Sequence, residues 1–498
     1  MKISHTLCFI LSVLFLLGGL WRFFPADGVQ TVGLTLRYPS YAADRMPEAP
    51  VVDVDSVLRA LTESSVVTFS DSLQDSVAFF RQYLTTNEAR IHFPNHDMTY
   101  FDTLFACFAK ARASGRTIRV MHYGDSQIEL DRMSSVLRQR LQELFGGSGP
   151  GMIPPVQNVP SISISQQAWN LTPYTVYGDS TTLRAAHRRY GVMTHFASVR
   201  GHASVSFTRT SSSLAMDLVK QFSEVSVLLR PDTTGVVVTL AADDGPERSD
   251  SLSYDGKVQR VTWKLPAFVR RGTVRFSGSA DVYALLLDGG PGVAVDNVPL
   301  RGCSGTIFTG VERESMRQAF ELLDTRLILL QFGGNRMPSV KRPGSISTYM
   351  KEISRQIAYF RLVAPEAALL FIGPSDMSRS YDGRMATWEG LPALNDSLRA
   401  TALRNGVAYW DMFRVMGGEG SMVQYVQHEP PLAGTDYIHF THAGAQQIGG
   451  ALATSIAMCH ACWELRCRWQ DSPLFDWVRP EPEPPADTLA SSYLFFVR

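Results

Sequence analysis

The sequence predicts an α/β domain built on a parallel sheet and split by an inserted β-sandwich. Compact apolar strands at 118–123, 327–332, 368–372 and 407–410 alternate with stretches of helical periodicity. That alternation is the pattern of a sheet covered by helices on both faces. Between about 150 and 290 the texture changes to short alternating runs at 224–229, 235–240, 259–263, 273–276 and 282–287, separated by turn dipeptides and Ser/Thr/Gly clusters. Several short strands with almost no helical period argue for a sandwich. Strand–helix alternation resumes after 300, so the sandwich reads as an insertion into one domain.

In chain order, Lys2 precedes an apolar run at 7–20, followed by Trp21, Arg22, Phe23 and Phe24. A short basic start and an apolar core describe a secretory signal. Counted through Phe24, the stretch also suffices for a marginal membrane span. Residues 1–24 are therefore expected to be a signal peptide or, preferentially, a retained signal-anchor. Ser40-Tyr41-Ala42 resembles a cleavage site but lies far from the apolar core. Export to the periplasm or cell envelope is the expectation, with membrane contact through this segment alone. Residues 25–100 read as a spacer and an N-terminal helical segment. The first part of the α/β domain, 101–150, reads helix (101–114), strand (118–123), turn, helix (133–145). The insert occupies 151–295 and the second part of the domain 296–470. A tail, 471–498, contains a proline-rich stretch at 479–485.

Composition removes several function classes. The 498 residues carry 47 Lys+Arg and 47 Asp+Glu, a balance that argues against an electrostatically driven nucleic-acid binder. At 45% hydrophobic and 10% aromatic residues the chain is not disordered. Six cysteines are too few for a disulfide scaffold. Cys459, Cys462 and Cys467, with His460 between, crowd the end of a helical pattern without a second ligand pair at zinc-finger spacing. They read as buried thiols or a local disulfide, and no metal or organic cofactor is expected.

Three motifs fall at the carboxyl ends of the apolar strands, where open α/β sheets form their ligand crevice. Gly124-Asp125-Ser126-Gln127 follows the first strand and precedes a helix. A serine there exposes its hydroxyl, and the N–H groups of the turn face a developing oxyanion. Gly333-Gly334-Asn335 follows the strand at 327–332 and holds a carboxamide N–H₂ on a glycine turn. Asp436-Tyr437-Ile438-His439 has the gap at which a carboxylate folds back onto the imidazole Nδ1–H, fixing the tautomer whose Nε2 accepts a serine proton. His442 lacks a carboxylate at a matching offset and reads as surface or supporting. Taken singly, each motif is an ordinary turn or cap; in one order along one sheet they make a catalytic constellation.

That constellation resembles the SGNH (GDSL-type) hydrolase superfamily over about 101–150 and 296–460. The resemblance implies a flavodoxin-like three-layer fold, Ser126, Asp436 and His439 as catalytic residues, and an oxyanion hole from the Ser126 and backbone glycine N–H groups with Asn335. Gly302 is the better candidate for that glycine and Gly305 the second. Gln127 stands where a leucine is common, and Arg336 where an aspartate is frequent. The insert is reminiscent of extracytoplasmic peptidoglycan O-acetylesterases, whose hydrolase domain is split by a carbohydrate-binding-like sandwich.

The function expected is an exported serine esterase removing O-acetyl groups from a cell-envelope or other complex glycan. An O-acetyltransferase using the same acyl-serine is one alternative, and a non-catalytic glycan-binding envelope protein the other. Oligomeric state is left open. Tyr123, Trp388 and Tyr437 are candidates for stacking on sugar rings, with a core position as the competing reading. Deleting 155–290 is expected to spare small-ester turnover.

Overall fold

A computed structural model describes residues 3–24, 29–31, 34–36, 52–63, 72–340, 344–470 and 472–479. The central sheet has six strands, ordered Gly292–Pro299, Thr117–Gly124, Thr325–Gln331, Ala368–Ile372, Ala408–Trp410 and Ile91–His92. The first five run parallel, and the short last one is antiparallel to its neighbour. Successive side chains of a strand point to opposite faces, so each strand feeds two cores. Val120, Leu329, Leu370 and Trp410 join the core of one face. Met121, Leu330, Phe371 and Tyr409 join the other.

Helices Leu73–Thr86, Asp102–Ala111, Ser134–Phe145 and His442–Arg468 cover the first face, through Phe80, Phe105, Leu137 and Leu452. Helices Arg313–Leu323, Ser345–Val363 and Leu391–Arg404 cover the second, through Phe320, Phe360 and Leu398. This is the three-layer α/β arrangement that the strand–helix alternation predicts.

The insert is an antiparallel, sandwich-like sheet of eight strands. Three long strands, His195–Arg209, Glu224–Ala242 and Arg271–Asp288, run through both of its halves. The runs at 224–229 and 235–240 are thus one strand, as are those at 273–276 and 282–287. Glycines allow the bend. Gly278 pairs with Gly201 on one side and Val236 on the other, beside a register shift. Its φ is +127°, and a Cβ there would lie 2.4 Å from the Gly235 carbonyl oxygen. Only a residue without a side chain fits such a corner. Side chains from both halves, Val225 and Val227 with Val238 and Leu240, close on one core.

The opposite side of these strands is not solvated. Leu228, Tyr283 and Leu286 share a core with Met121 and Tyr123 of the central sheet. Tyr123 Oη donates to the Val192 carbonyl at 2.6 Å, so Tyr123 is a buried docking residue and not a sugar-stacking one. Beside it Arg119, 1% exposed, forks onto Asp288 at 3.0 Å and reaches Asp296 at 3.2 Å. This docking weighs against the expectation that deleting 155–290 spares small-ester turnover. Removing 155–290 would strip the central strand of its cover.

Three segment boundaries differ from expectation. Strand Gly292–Pro299 begins inside the stretch assigned to the insert and pairs with Thr117–Gly124. Residues 72–100 are not a peripheral segment: Phe80, Tyr83, Leu84 and Ile91 are core residues, and Ile91–His92 is a sheet strand. Within the tail, Phe475 and Val478 of the Pro473–Val478 turn pack into that core, while 480–485 lie outside the described residues. The N-terminal run forms a helix, Ile3–Phe23, with Leu7, Phe9, Phe15 and Phe23 exposed. Among the described residues no helix is long and apolar enough to cross a membrane.

Candidate active site

The serine and asparagine loops leave the carboxyl ends of two adjacent strands, whereas the histidine loop, expected at a strand end, joins helix Ser421–Gln427 to helix His442–Arg468 and packs against the serine loop. Asp125 ends the turn after strand Thr117–Gly124, and its carboxylate accepts the Gln127 N–H at 3.0 Å, starting the short 3₁₀ turn Ser126–Ile128. The Asp125 N–H donates to the Gln331 carbonyl at 3.2 Å, joining the serine loop to the asparagine strand. Beyond that strand, Gly333 (φ +142°) turns the chain into Gly334–Ser339, which carries Asn335. The third loop closes through a bridge between Ala433 and Phe440, and Thr441 then caps the helix His442–Arg468.

These loops bring three side chains into line. Ser126 Oγ lies 2.7 Å from His439 Nε2, and His439 Nδ1 lies 2.7 Å from Asp436 Oδ2. Asp436 Oδ1 also accepts the main-chain N–H groups of Ile438 and His439, at 3.0 and 3.1 Å. Partial burial pushes the Asp436 carboxyl up. Hydrogen bonds from the His439 ring and from those two N–H groups outweigh it and hold the group below its ordinary value. The carboxylate is therefore held in its charged form behind the ring. Ser126 is only partly covered, so its hydroxyl can meet a ligand.

Asn335 Nδ2 donates to the Cys303 carbonyl at 3.2 Å. Its amide also acts on Asp125, whose carboxyl burial pushes up to about 6 against the opposing hydrogen bonds of Gln127 and Asn335 and the charge of His439. The loop holding Gly302 and Gly305 follows strand Gly292–Pro299, and Leu300 N–H donates to the Gly124 carbonyl at 2.7 Å. Arg301 grips Glu129, three residues beyond the serine, at 2.5 Å. The two glycines differ: Gly305 N–H donates to Cys303 Sγ at 3.2 Å, and a Cβ on Gly305 would strike the Phe332 ring. Gly302 sits exposed on its turn with open space around it.

Two residues of the site carried no assignment from sequence. Gln127 Nε2 donates to the Ile438 carbonyl at 2.6 Å and to Ser375 Oγ at 2.9 Å, while its Oε1 accepts the Phe440 N–H at 3.3 Å. Arg132 donates to the carbonyls of Ser126 (2.7 Å), Phe440 (2.6 Å) and Glu129 (3.1 Å). Together they clamp the histidine loop onto the serine loop. A glutamine where leucine is common was the one available signal, because a buried amide demands partners. Nothing in the sequence marks Arg132.

Other singled-out residues lie apart from this alignment. His442 starts the long helix, and burial with the nearby Arg132 charge lowers its pKa. Cys459 and Cys462 are buried free thiols, Cys467 an exposed one, and His460 packs edge-on to Phe105 and Phe145. Arg336 lies over the Tyr349 ring at 5.3 Å. Among the described residues no group of three or more His, Cys, Asp or Glu is arranged to hold a metal ion.

The three-layer α/β fold sets a serine, an imidazole and a carboxylate in line, the arrangement with which serine-nucleophile hydrolases work. Residues 250–447 match the GDSL-like lipase/acylhydrolase family. The matched stretch holds Asn335, Asp436 and His439, whereas Ser126 precedes it, across the insert. Among solved structures the chain is similar to a peptidoglycan O-acetylesterase captured in action, at 18% identity and a TM-score of 0.59, over 74% of this chain and 99% of that one. At that identity the likeness is one of fold. A family 2 carbohydrate esterase with a carbohydrate-binding domain, from Corynascus thermopiles, matches at 11% identity over 59% of this chain and 99% of its own. Its TM-score of 0.25 gives it no weight here. No curated protein matches the sequence.

Proposed function

We propose that the protein is an exported serine esterase that removes O-acetyl groups from a cell-envelope glycan. The observation that carries the reading is the 2.7 Å approach of Ser126 Oγ to His439 Nε2, with Asp436 behind the ring. Ser126 Oγ attacks the acetyl carbonyl as His439 takes its proton. The tetrahedral oxyanion is met by the N–H groups of Ser126 and Gly302 and the amide of Asn335. Collapse expels the sugar alkoxide, which takes the proton from His439, and leaves acetyl-Ser126. Water, deprotonated by His439, attacks the acyl-enzyme, and His439 returns that proton to Ser126 Oγ as acetate leaves.

The glycan substrate is supported by the docked β insert and by the activity of the fold neighbour, a peptidoglycan O-acetylesterase. Export is supported by the apolar N-terminal run at 7–20 behind a basic start. The test is a chromogenic acetyl ester and the purified protein. Wild type hydrolyses it, and Ser126→Ala is expected to lose on the order of 10⁴–10⁶ in kcat. Equal rates for the two would remove the esterase reading.

A further inference from the structure

We infer that the outer face of the hairpin at 378–387 is a subsite for a carboxylate-bearing sugar of the glycan chain, next to the Ser126–His439 pair. The inference rests on the esterase reading above and narrows its substrate.

The segment leading into this hairpin touches all three motif loops. Ser375 Oγ accepts the Gln127 amide at 2.9 Å, and the Ser378 N–H donates to the Tyr437 carbonyl at 2.9 Å. A Cβ on Gly334, beside Asn335, would sit 3.8 Å from Met377 Sδ. The hairpin, strands Ser378–Tyr381 and Arg384–Thr387, therefore rises from the rim of the site.

Its two faces differ in chemistry. Ser378 and Thr387 pair across the strands and point inward, where Thr387 Oγ1 donates to the buried Asp376 at 2.9 Å. Arg379 pairs with Ala386, and Tyr381 with Arg384, so both arginines share the outer face with the tyrosine. The Arg379 guanidinium stands 4.3 Å from the Tyr381 ring centroid and 5.1 Å from that of Trp388. Neither arginine has an ion-pair partner among the described residues. Arg379 Nε and Trp388 Nε1 are buried donors without a hydrogen-bond partner among the described residues. Asp376 cannot neutralise the face, since Thr387 and the Met422 N–H hold it beneath the hairpin. The other acidic side chain of the hairpin is Asp382, at its turn.

Aromatic rings bind the C–H face of a sugar, and a guanidinium held flat against rings presents its fork to a carboxylate. A neutral glycan would use the rings and leave both arginines unpaired, which is why the face selects an acidic one.

The test compares acetate release from O-acetylated peptidoglycan, which carries carboxylates, with release from neutral acetylated xylan. Wild type should favour the acidic polymer in kcat/KM, and added salt should erode that preference. In Arg379→Ala the ratio should fall about tenfold, further in Arg379→Glu, with part recovered in Arg379→Lys. Arg384→Ala, on an exposed position, should lower the ratio in the same direction and guards against misfolding of the first variants. A ratio unchanged in all four variants overturns the subsite while Ser126-dependent hydrolysis of the chromogenic ester keeps the esterase reading. Absence of that hydrolysis in wild type overturns both.

Discussion

The Arg132 guanidinium donates to the main-chain carbonyl of Ser126 at 2.7 Å. Its other Nη holds the Phe440 carbonyl at 2.6 Å, so one side chain sets the spacing of the serine and histidine loops. Lysine keeps the charge but cannot fork between two carbonyls. Arg132→Lys is expected to lower kcat on a small acetyl ester roughly 10–100-fold, the scale of a misplacement near 1 Å. KM should change far less, because the substrate's own contacts remain. Steady-state kinetics on the chromogenic ester measure this, and an unchanged kcat would argue against a positioning role.

Asp436 faces His439 through one carboxylate oxygen and two backbone N–H groups through the other. Asparagine can accept those backbone bonds but favours the wrong imidazole tautomer. Asp436→Asn should therefore fold as wild type and lose about 10⁴ in kcat. Wild-type circular dichroism with that kinetic loss is the expected pair of results. A loss under tenfold would mean another group orients the ring.

Asp125 bears on stability and not only on chemistry. Its folded pKa of about 6 lies above the ordinary value of 3.8, chiefly through burial. Between those values the folded state binds more protons than the unfolded one, so this group's contribution falls as pH rises from about 4 to about 6 and stays low above. Asp125→Asn removes the titration. Relative to wild type the variant should gain on the order of 1–3 kcal/mol at pH 7 and little at pH 4. Denaturant midpoints at the two pH values test this, and a gain larger at pH 4 would reverse the sign and reject it.

Arg119 pairs with Asp288 and Asp296 at the seam between sheet and insert, all three nearly inaccessible. Arg119→Ala leaves two carboxylates buried against each other, an uncompensated charge worth about 3–5 kcal/mol. Thermal unfolding should drop accordingly. Arg119→Ala with Asp288→Asn should recover part of the loss, since one of the stranded charges is then gone.

The apolar strands at 118–123, 327–332, 368–372 and 407–410 were legible because a strand buried on both faces is apolar throughout, whatever covers it. The alternating runs of the insert were legible for the same local reason, but their joining into long strands was not. A glycine corner such as Gly278 reads as a turn until its partners Gly201 and Val236 are known. What residues 72–100, a helical segment by sequence, and 473–478, part of a tail, pack against is not legible, because short, sparse apolar patterns do not announce their partners.

Sequence by itself determined the local chemistry: a serine after one strand, an asparagine after another, and an aspartate three residues before a histidine. The Asp436–His439 pairing needs only a short loop, so its spacing sufficed. Only the tertiary structure decided that Ser126 meets His439 across 313 residues, that Gln127 and Arg132 hold them there, and that the insert shares a core with the hydrolase sheet. Those contacts depend on which distant surfaces the packed layers bring together, and a burial pattern records that a side chain is covered without recording by what.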